Sequence, residues 1–146
     1  DLQKHEAQKN ITFDIEEATS FSGYSAPYIL YVIARINSLM EKSDVSLEEY
    51  TKDLSLLEEQ EEKQLILKMA ELKNVLKESL QDYNTSQIAR YCFDLSQLFN
   101  DFYNKHQILK LEDERQIKAK LSLCLAVKQT LDNALNILTI DSLEEM

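Results

Sequence analysis

A chain with one glycine and one proline among 146 residues has few places to turn. These two residue types are the strongest local breakers of regular structure. Their scarcity leaves long helices as the natural outcome. Gly23 and Pro27 stand four positions apart. Gly23 permits positive φ and so a sharp turn. Ser25 can cap a helix, and Pro27 is tolerated in its first turn. The pattern predicts a helix over about 26–42 with Ile29, Val32, Ile33, Ile36 and Met40 on its apolar face. A second stripe, Tyr28, Tyr31 and Arg35, lies roughly 110° around the same helix at about 100° per residue. Two readings stay open for it. Tyrosine is amphipathic and often sits at a core edge, which makes the stripe a second packing face. Tyr rings and Arg planes also stack on unpaired bases, which makes it a binding platform.

The length fits one domain with a real core. Hydrophobic residues at 44% and charged residues at 29% are ordinary for a globular chain. No apolar run is long enough for a membrane span, and the polar start DLQKHEAQKN has no signal-peptide core. Because the sequence opens at Asp1 rather than methionine, we expect a processed end or an excised piece of a longer protein. Cys92 and Cys124 fall in apolar helical patterns and read as small core hydrophobes of a reducing compartment. With two scattered histidines they form no metal-ligand spacing.

Residues 1–12 read as a linker or an incomplete element, and 13–146 as the folded domain. A short helix is predicted at Phe13–Ser20, and a polar connection from Asp44 to Tyr50. Helical period resumes near Ser55 and runs to about 82, with Leu65, Ile66, Met69, Leu72, Leu76 and Leu80 on one face and Val75 beside them. Lys73-Asn74 is its weakest point, which leaves room for a kink or short break near Leu72–Val75. Asn84 or Thr85 caps the next helix, 86–106, whose Ile88, Cys92, Leu95, Phe99 and Phe102 alternate steps of four and three. His106 reads as a helix-end histidine. After a short loop at 107–111, the last helix runs from about Glu112 to Leu138. Its acidic first turn suits the positive end of the helix dipole. The stretch 121–127 is apolar nearly all round and is expected at the centre, leaving Lys118, Lys120 and Lys128 on the solvent side.

The net charge is −10, which weighs against a phosphate-bearing partner. The charge is uneven. Residues 41–82 hold twelve Asp/Glu against six Lys, a net of −6, whereas 105–128 hold six Lys/Arg against three acids, a net of +3. No Gly-rich phosphate loop, paired-His signature or Rossmann strand pattern is present. No convergent set of polar groups marks a catalytic site. From the residues alone this is a helical binding or structural domain.

Three segments carry a joint pattern. The first is Gly23-Tyr24-Ser25-Ala26-Pro27-Tyr28-Ile29-Leu30-Tyr31 followed by Ala34-Arg35-Ile36. The second is Ala89-Arg90-Tyr91, Phe93-Asp94-Leu95 and Phe99-Asn100-x-Phe102-Tyr103-Asn104. The third runs from Arg115 through Leu131, Ala134, Leu135 and Leu138 to Glu144-Glu145-Met146. Together they resemble the C-terminal anticodon-binding domain of arginyl-tRNA synthetase, the helical domain known as DALR, whose first segment reads Gly-Asn/Asp-Thr-Gly/Ala-Pro-Tyr-Leu-Gln-Tyr, then Ala-x-x-Arg-Ile. Tyr24-Ser25, Leu30 and Glu145 depart from the family pattern.

The resemblance implies an all-α helical bundle of the DALR type that binds the tRNA anticodon loop. Its parent, a class I synthetase, ligates arginine to tRNA with ATP and Mg in a separate catalytic domain. No HIGH-type or KMSKS-type sequence of such a domain occurs here. Tyr28, Tyr31, Arg35, Tyr103 and Met146 are the implied anticodon contacts, and Lys105, Lys118, Lys120 and Lys128 are candidates for phosphates. The implied partners are an arginine tRNA and the parent's catalytic domain, in a cytoplasmic monomer with no cofactor in this domain. The rival reading is a free-standing helical protein-interaction module that kept the fold without tRNA binding.

Overall fold

A computed structural model describes residues 15–16, 25–43, 45 and 54–142. Among them are four helices, α1 (Ala26–Glu41), α2 (Gln60–Gln81), α3 (Ser86–Lys105) and α4 (Glu114–Ile137), with 3₁₀ turns at Leu54–Leu56 and Ile108–Lys110. No strand occurs among the described residues. Ile15 and Glu16 are helical, while the rest of Phe13–Ser20 lies outside the described residues, as do Gly23, Met146 and most of the Asp44–Tyr50 connection.

The helices α3 and α4 pack together as a central pair. α1 and α2 each rest on both of them and make little contact with each other. The core follows the apolar periodicity: Ile88, Tyr91, Cys92, Leu95, Phe99 and Phe102 of α3 are buried against Leu121, Leu123, Cys124, Val127, Leu131 and Leu135 of α4. Each large apolar side chain so enclosed contributes about 1.5–3 kcal/mol. That is why the most continuous apolar stripes end up in the middle. On α1 the buried face is Ile29, Val32, Ile33, Ile36 and Leu39, with Met40 only half-buried.

The helix α2 departs most from expectation. It starts at Gln60 rather than near Ser55, after a separate 3₁₀ turn, because Glu59 and Glu62 form a reciprocal capping box. It runs unbroken through Lys73-Asn74. Asn74 faces solvent and its weak helix propensity is a local cost, while Leu72, Val75 and Leu76 pack on the core. Its inward face steps by three and four through Glu62, Leu65, Met69, Leu72, Leu76 and Ser79. Leu80 is therefore one position off the stripe and 73% exposed.

With glycine nearly absent, α2 and α4 end through residues that carry a Cβ. Tyr83 takes φ 49° and Thr139 φ 58°, the left-handed region usually left to glycine. The turns are closed by Asn84 N–H donating to Ser79 O at 2.9 Å and Ile140 N–H to Leu135 O at 3.0 Å. The Ser79 hydroxyl adds a 2.7 Å bond to Asn84 O. Asn84 Oδ1 accepts from the Ser86 N–H at 3.0 Å and its hydroxyl at 2.7 Å, so Asn84 rather than Thr85 supplies the side-chain cap of α3. At α4 the Asp113 carboxylate accepts from Arg115 N–H at 2.9 Å.

Candidate nucleic-acid interface

The start of α1 sets the direction of the aromatic stripe. The buried Ser25 hydroxyl accepts from the Tyr28 N–H at 3.4 Å, and Pro27 lies in the first turn. With the aliphatic face of α1 turned to the core, Tyr28, Tyr31 and Arg35 emerge along the seam with α3.

There the Arg35 guanidinium is held between two rings from different helices. Its carbon lies 4.7 Å from the centroid of Tyr31 and 4.8 Å from that of Tyr103. Arg35 Nη1 donates to Asn100 Oδ1 at 2.7 Å, and Nη2 donates to Tyr31 Oη at 3.0 Å. Asn100 Nδ2 in turn donates to Tyr28 Oη at 2.8 Å. The Tyr28 ring leans on Phe93 at 5.3 Å, and the Tyr103 ring on Phe99 at 5.9 Å. Tyr31 is 41% exposed, while Tyr28, Arg35 and Tyr103 are half-buried. The stripe is thus the edge of a helix–helix seam and also a surface. Its planar groups are held in place by hydrogen bonds and ring contacts within the chain.

Spacing on α1 located three of these residues and resemblance the fourth, Tyr103. Asn100 and Phe93 were missed as site residues. Phe93, Asn100 and Tyr103 recur at helical spacing on one side of α3, but that spacing carries no sign of which helix they meet.

Beside Tyr28 lies a groove of about 400 Å³ bordered also by Lys68, Asp94, Gln97, Leu98 and Asp101. Lys68 is tied to Asp94 at 3.3 Å and to Glu71 at 3.1 Å. The groove therefore has acidic character despite the lysine on its wall.

The four lysines named as candidates for phosphates are not alike. Lys120 is buried and donates to Glu62 Oε1, itself fully enclosed, with its ammonium 5.7 Å from the Phe102 ring centre. Placing it on the solvent side was wrong. A cation inside a bundle needs a countercharge, and here that charge comes from α2, 58 positions away, where no local spacing reveals it. Lys120 cannot reach a phosphate. Lys105 is exposed and bound to Glu61 at 2.7 Å, which holds the Glu61 carboxyl below its usual range and pushes the lysine up. Lys128 bonds Asp132 at 2.8 Å within α4. Lys118 is half-buried and borders a cavity of about 330 Å³ with Lys42, Leu109, Glu114 and Ile117.

His106 ends α3 with its ring 5.0 Å from Phe102 and Nε2 3.6 Å from Glu61 Oε2. Cys92 and Cys124 are free thiols in the core, each pushed up to about 12 by burial. Among the described residues no group of three or more His, Cys, Asp or Glu is placed to hold a metal ion. No helix there is long and apolar enough to cross a membrane.

A family model described as the DALR anticodon binding domain matches residues 29–146. The chain is 36% identical over 143 residues to an arginine–tRNA ligase of Clostridium botulinum, covering 98% of this chain and 25% of that protein. It is 35% identical over 146 residues to one of Borrelia hermsii, covering 99% and 25%. Among solved structures, the arginyl-tRNA synthetase of Thermus thermophilus superposes with a TM-score of 0.86 at 28% identity, over 98% of this chain and 25% of that one. The arginyl-tRNA synthetase of Plasmodium falciparum gives 0.88 at 24% identity, over 99% and 25%, a likeness of fold. The chain therefore spans a quarter of the length of these relatives.

Proposed function

This chain belongs to the DALR anticodon-binding domain family, and from that membership we propose that it holds the anticodon loop of an arginine tRNA. The parent would be a cytoplasmic, monomeric arginine–tRNA ligase. Arginine would be activated with ATP and Mg in a catalytic domain that this chain does not contain. In this reading residues 13–146 form the binding domain, and residues 1–12 lead in from the catalytic part. None of the residues acts as a catalyst. Their task is to position the tRNA.

The observation that carries the proposal is the Arg35 guanidinium fixed between Tyr31 and Tyr103 at an exposed edge. A loop base splayed from its neighbours finds there a flat, preordered face, and stacking of this kind contributes about 1–3 kcal/mol per base. Tyr28, Tyr31, Arg35 and Tyr103 serve as the stacking and hydrogen-bonding set. Met146, outside the described residues, is proposed as a further contact. Phosphate contacts fall to Lys105, Lys118 and Lys128. Since Lys105 and Lys128 are already paired with carboxylates, stacking outweighs charge in this account.

Replacing Tyr28 and Tyr31 together by alanine tests it. Binding of an arginine tRNA anticodon stem-loop at fixed salt should weaken at least tenfold with helicity retained. Unchanged affinity would leave the free-standing interaction module as the better reading. Lost helicity would show that the two rings serve the core.

A further inference from the structure

We propose that Asn100 sets the polarity of the platform, so that Tyr28 and Tyr31 face the ligand as hydrogen-bond donors and select acceptor atoms of the RNA loop. This rests on the anticodon-loop reading and specifies its chemistry.

The chain of donors has one consistent direction. A guanidinium has no acceptor. The Asn100 atom facing Arg35 Nη1 at 2.7 Å must therefore be the carbonyl oxygen, which turns the amide nitrogen to Tyr28. That nitrogen has only hydrogens to give, so the Tyr28 oxygen accepts at 2.8 Å. By the same logic the Tyr31 oxygen accepts from Arg35 Nη2 at 3.0 Å. Each phenol accepts one bond from within the chain and keeps its own hydrogen. No described group receives either hydrogen. Both are left for an incoming acceptor.

RNA offers that acceptor in two places, a carbonyl or ring nitrogen of a base and a phosphate oxygen. Asp94 and Asp101 border the groove beside Tyr28 together with Lys68, whose ammonium is already tied to Asp94 and Glu71, so the carboxylates outnumber the lysine and oppose a phosphate there. A base edge is the better fit at Tyr28. Asn100 itself touches no ligand in this scheme. It is a positioning residue, which fixes the direction of the hydrogen bonds and the place of both rings.

The test uses the full 146-residue chain and an arginine tRNA anticodon stem-loop. Tyr28→Phe and Tyr31→Phe keep the rings and remove the hydrogens, and each should weaken binding roughly tenfold. Asn100→Asp keeps an acceptor for Arg35 but draws the Tyr28 hydrogen inward. It should cost about as much as Tyr28→Phe. In the Tyr28→Phe background, Asn100→Asp should cost nothing further, because the hydrogen it diverts is already gone. An equal loss in both backgrounds would mean the added charge acts on its own, and would overturn the assignment. So would full affinity in both phenylalanine variants, which decide the matter even if Asn100→Asp fails to fold. Stem-loops carrying base analogues that lack one acceptor separate the two sources. The analogue that removes the partner of Tyr28 should weaken the wild type but not Tyr28→Phe, whereas a phosphate partner leaves every analogue equally sensitive in both. A wild-type chain that binds no stem-loop would sink the functional reading itself, and the donor assignment with it.

Discussion

Lys120 Nζ on α4 donates to Glu62 Oε1 on α2 inside the bundle, and the other Glu62 oxygen accepts from the Glu59 N–H at 2.9 Å. One carboxylate thus starts a helix and neutralises a lysine from another. Removing one partner leaves a buried, uncompensated charge. Lys120→Met should destabilise the chain by about 3–5 kcal/mol, read from urea denaturation. Lys120→Met combined with Glu62→Gln should recover most of that loss, because no net charge remains inside. A single substitution as mild as the pair would show that the site is wetter than it looks.

Arginine is irreplaceable between Tyr31 and Tyr103 if its plane and its fork are both used. Lys carries the charge without either. Arg35→Lys should lower stem-loop affinity about tenfold and stability by about 1 kcal/mol, since two side-chain bonds and two ring contacts weaken together. Equal affinity in titration calorimetry would mean that only the charge matters.

Thr139 holds a β-branched side chain at φ 58°, where the Cβ crowds the following carbonyl. Thr139→Gly should raise stability by about 1 kcal/mol and lift the thermal midpoint. A lower midpoint would show that Thr139 Oγ1, which lies 2.7 Å from Leu138 O, outweighs the backbone cost.

The two core thiols tie stability to alkaline pH. Burial raises Cys92 and Cys124 from 9.0 to about 12. Above pH 9 the unfolded chain gives up these protons while the native chain keeps them, so stability is full below that pH and is lost as pH climbs toward about 12. Cys92→Ala/Cys124→Ala will be less stable throughout but should show a shallower alkaline decline. An unchanged slope would place the transition on other groups. In the native state neither thiol should react with a maleimide faster than global opening permits.

The acid side has a smaller, local tie. Lys105 holds the Glu61 carboxyl below 4.5, so the link between α2 and the end of α3 is present above that pH and is lost as pH falls through the lowered value. Lys105→Gln should remove this part of the acid response, seen as amide exchange at the start of α2. The pair is exposed, and global stability should hardly move.

The helices were legible because apolar residues recur at three and four with almost no glycine or proline between them. Their ends were less so. The apolar Leu54–Leu56 turn resembled the first turn of α2, yet the capping carboxylates at Glu59 and Glu62 begin that helix later. Leu80 was expected inside because it stands four positions after Leu76, but the inward register takes the step of three and falls on Ser79. The stripe Tyr28, Tyr31 and Arg35 was readable since all three lie on one helix. Asn100 was not, because a polar residue at helical spacing looks solvated until its partner on another helix is known. Lys120 was misread for the same reason. Periodicity reports the face a residue occupies, and cross-helix pairing decides what that face meets.

Arg35 and Asn100 are 65 positions apart, and all of α2 lies between them in the chain. No short fragment can therefore reproduce the seam. The helix pair α2–α3 is joined by a brief turn and can form early, whereas α1 must close a long loop before it docks. A nascent or damaged molecule with α1 undocked owns every ring and lacks their arrangement. On the proposed reading, only a molecule with α1 docked presents the platform, and an incompletely folded copy makes a poor competitor for the same RNA loop.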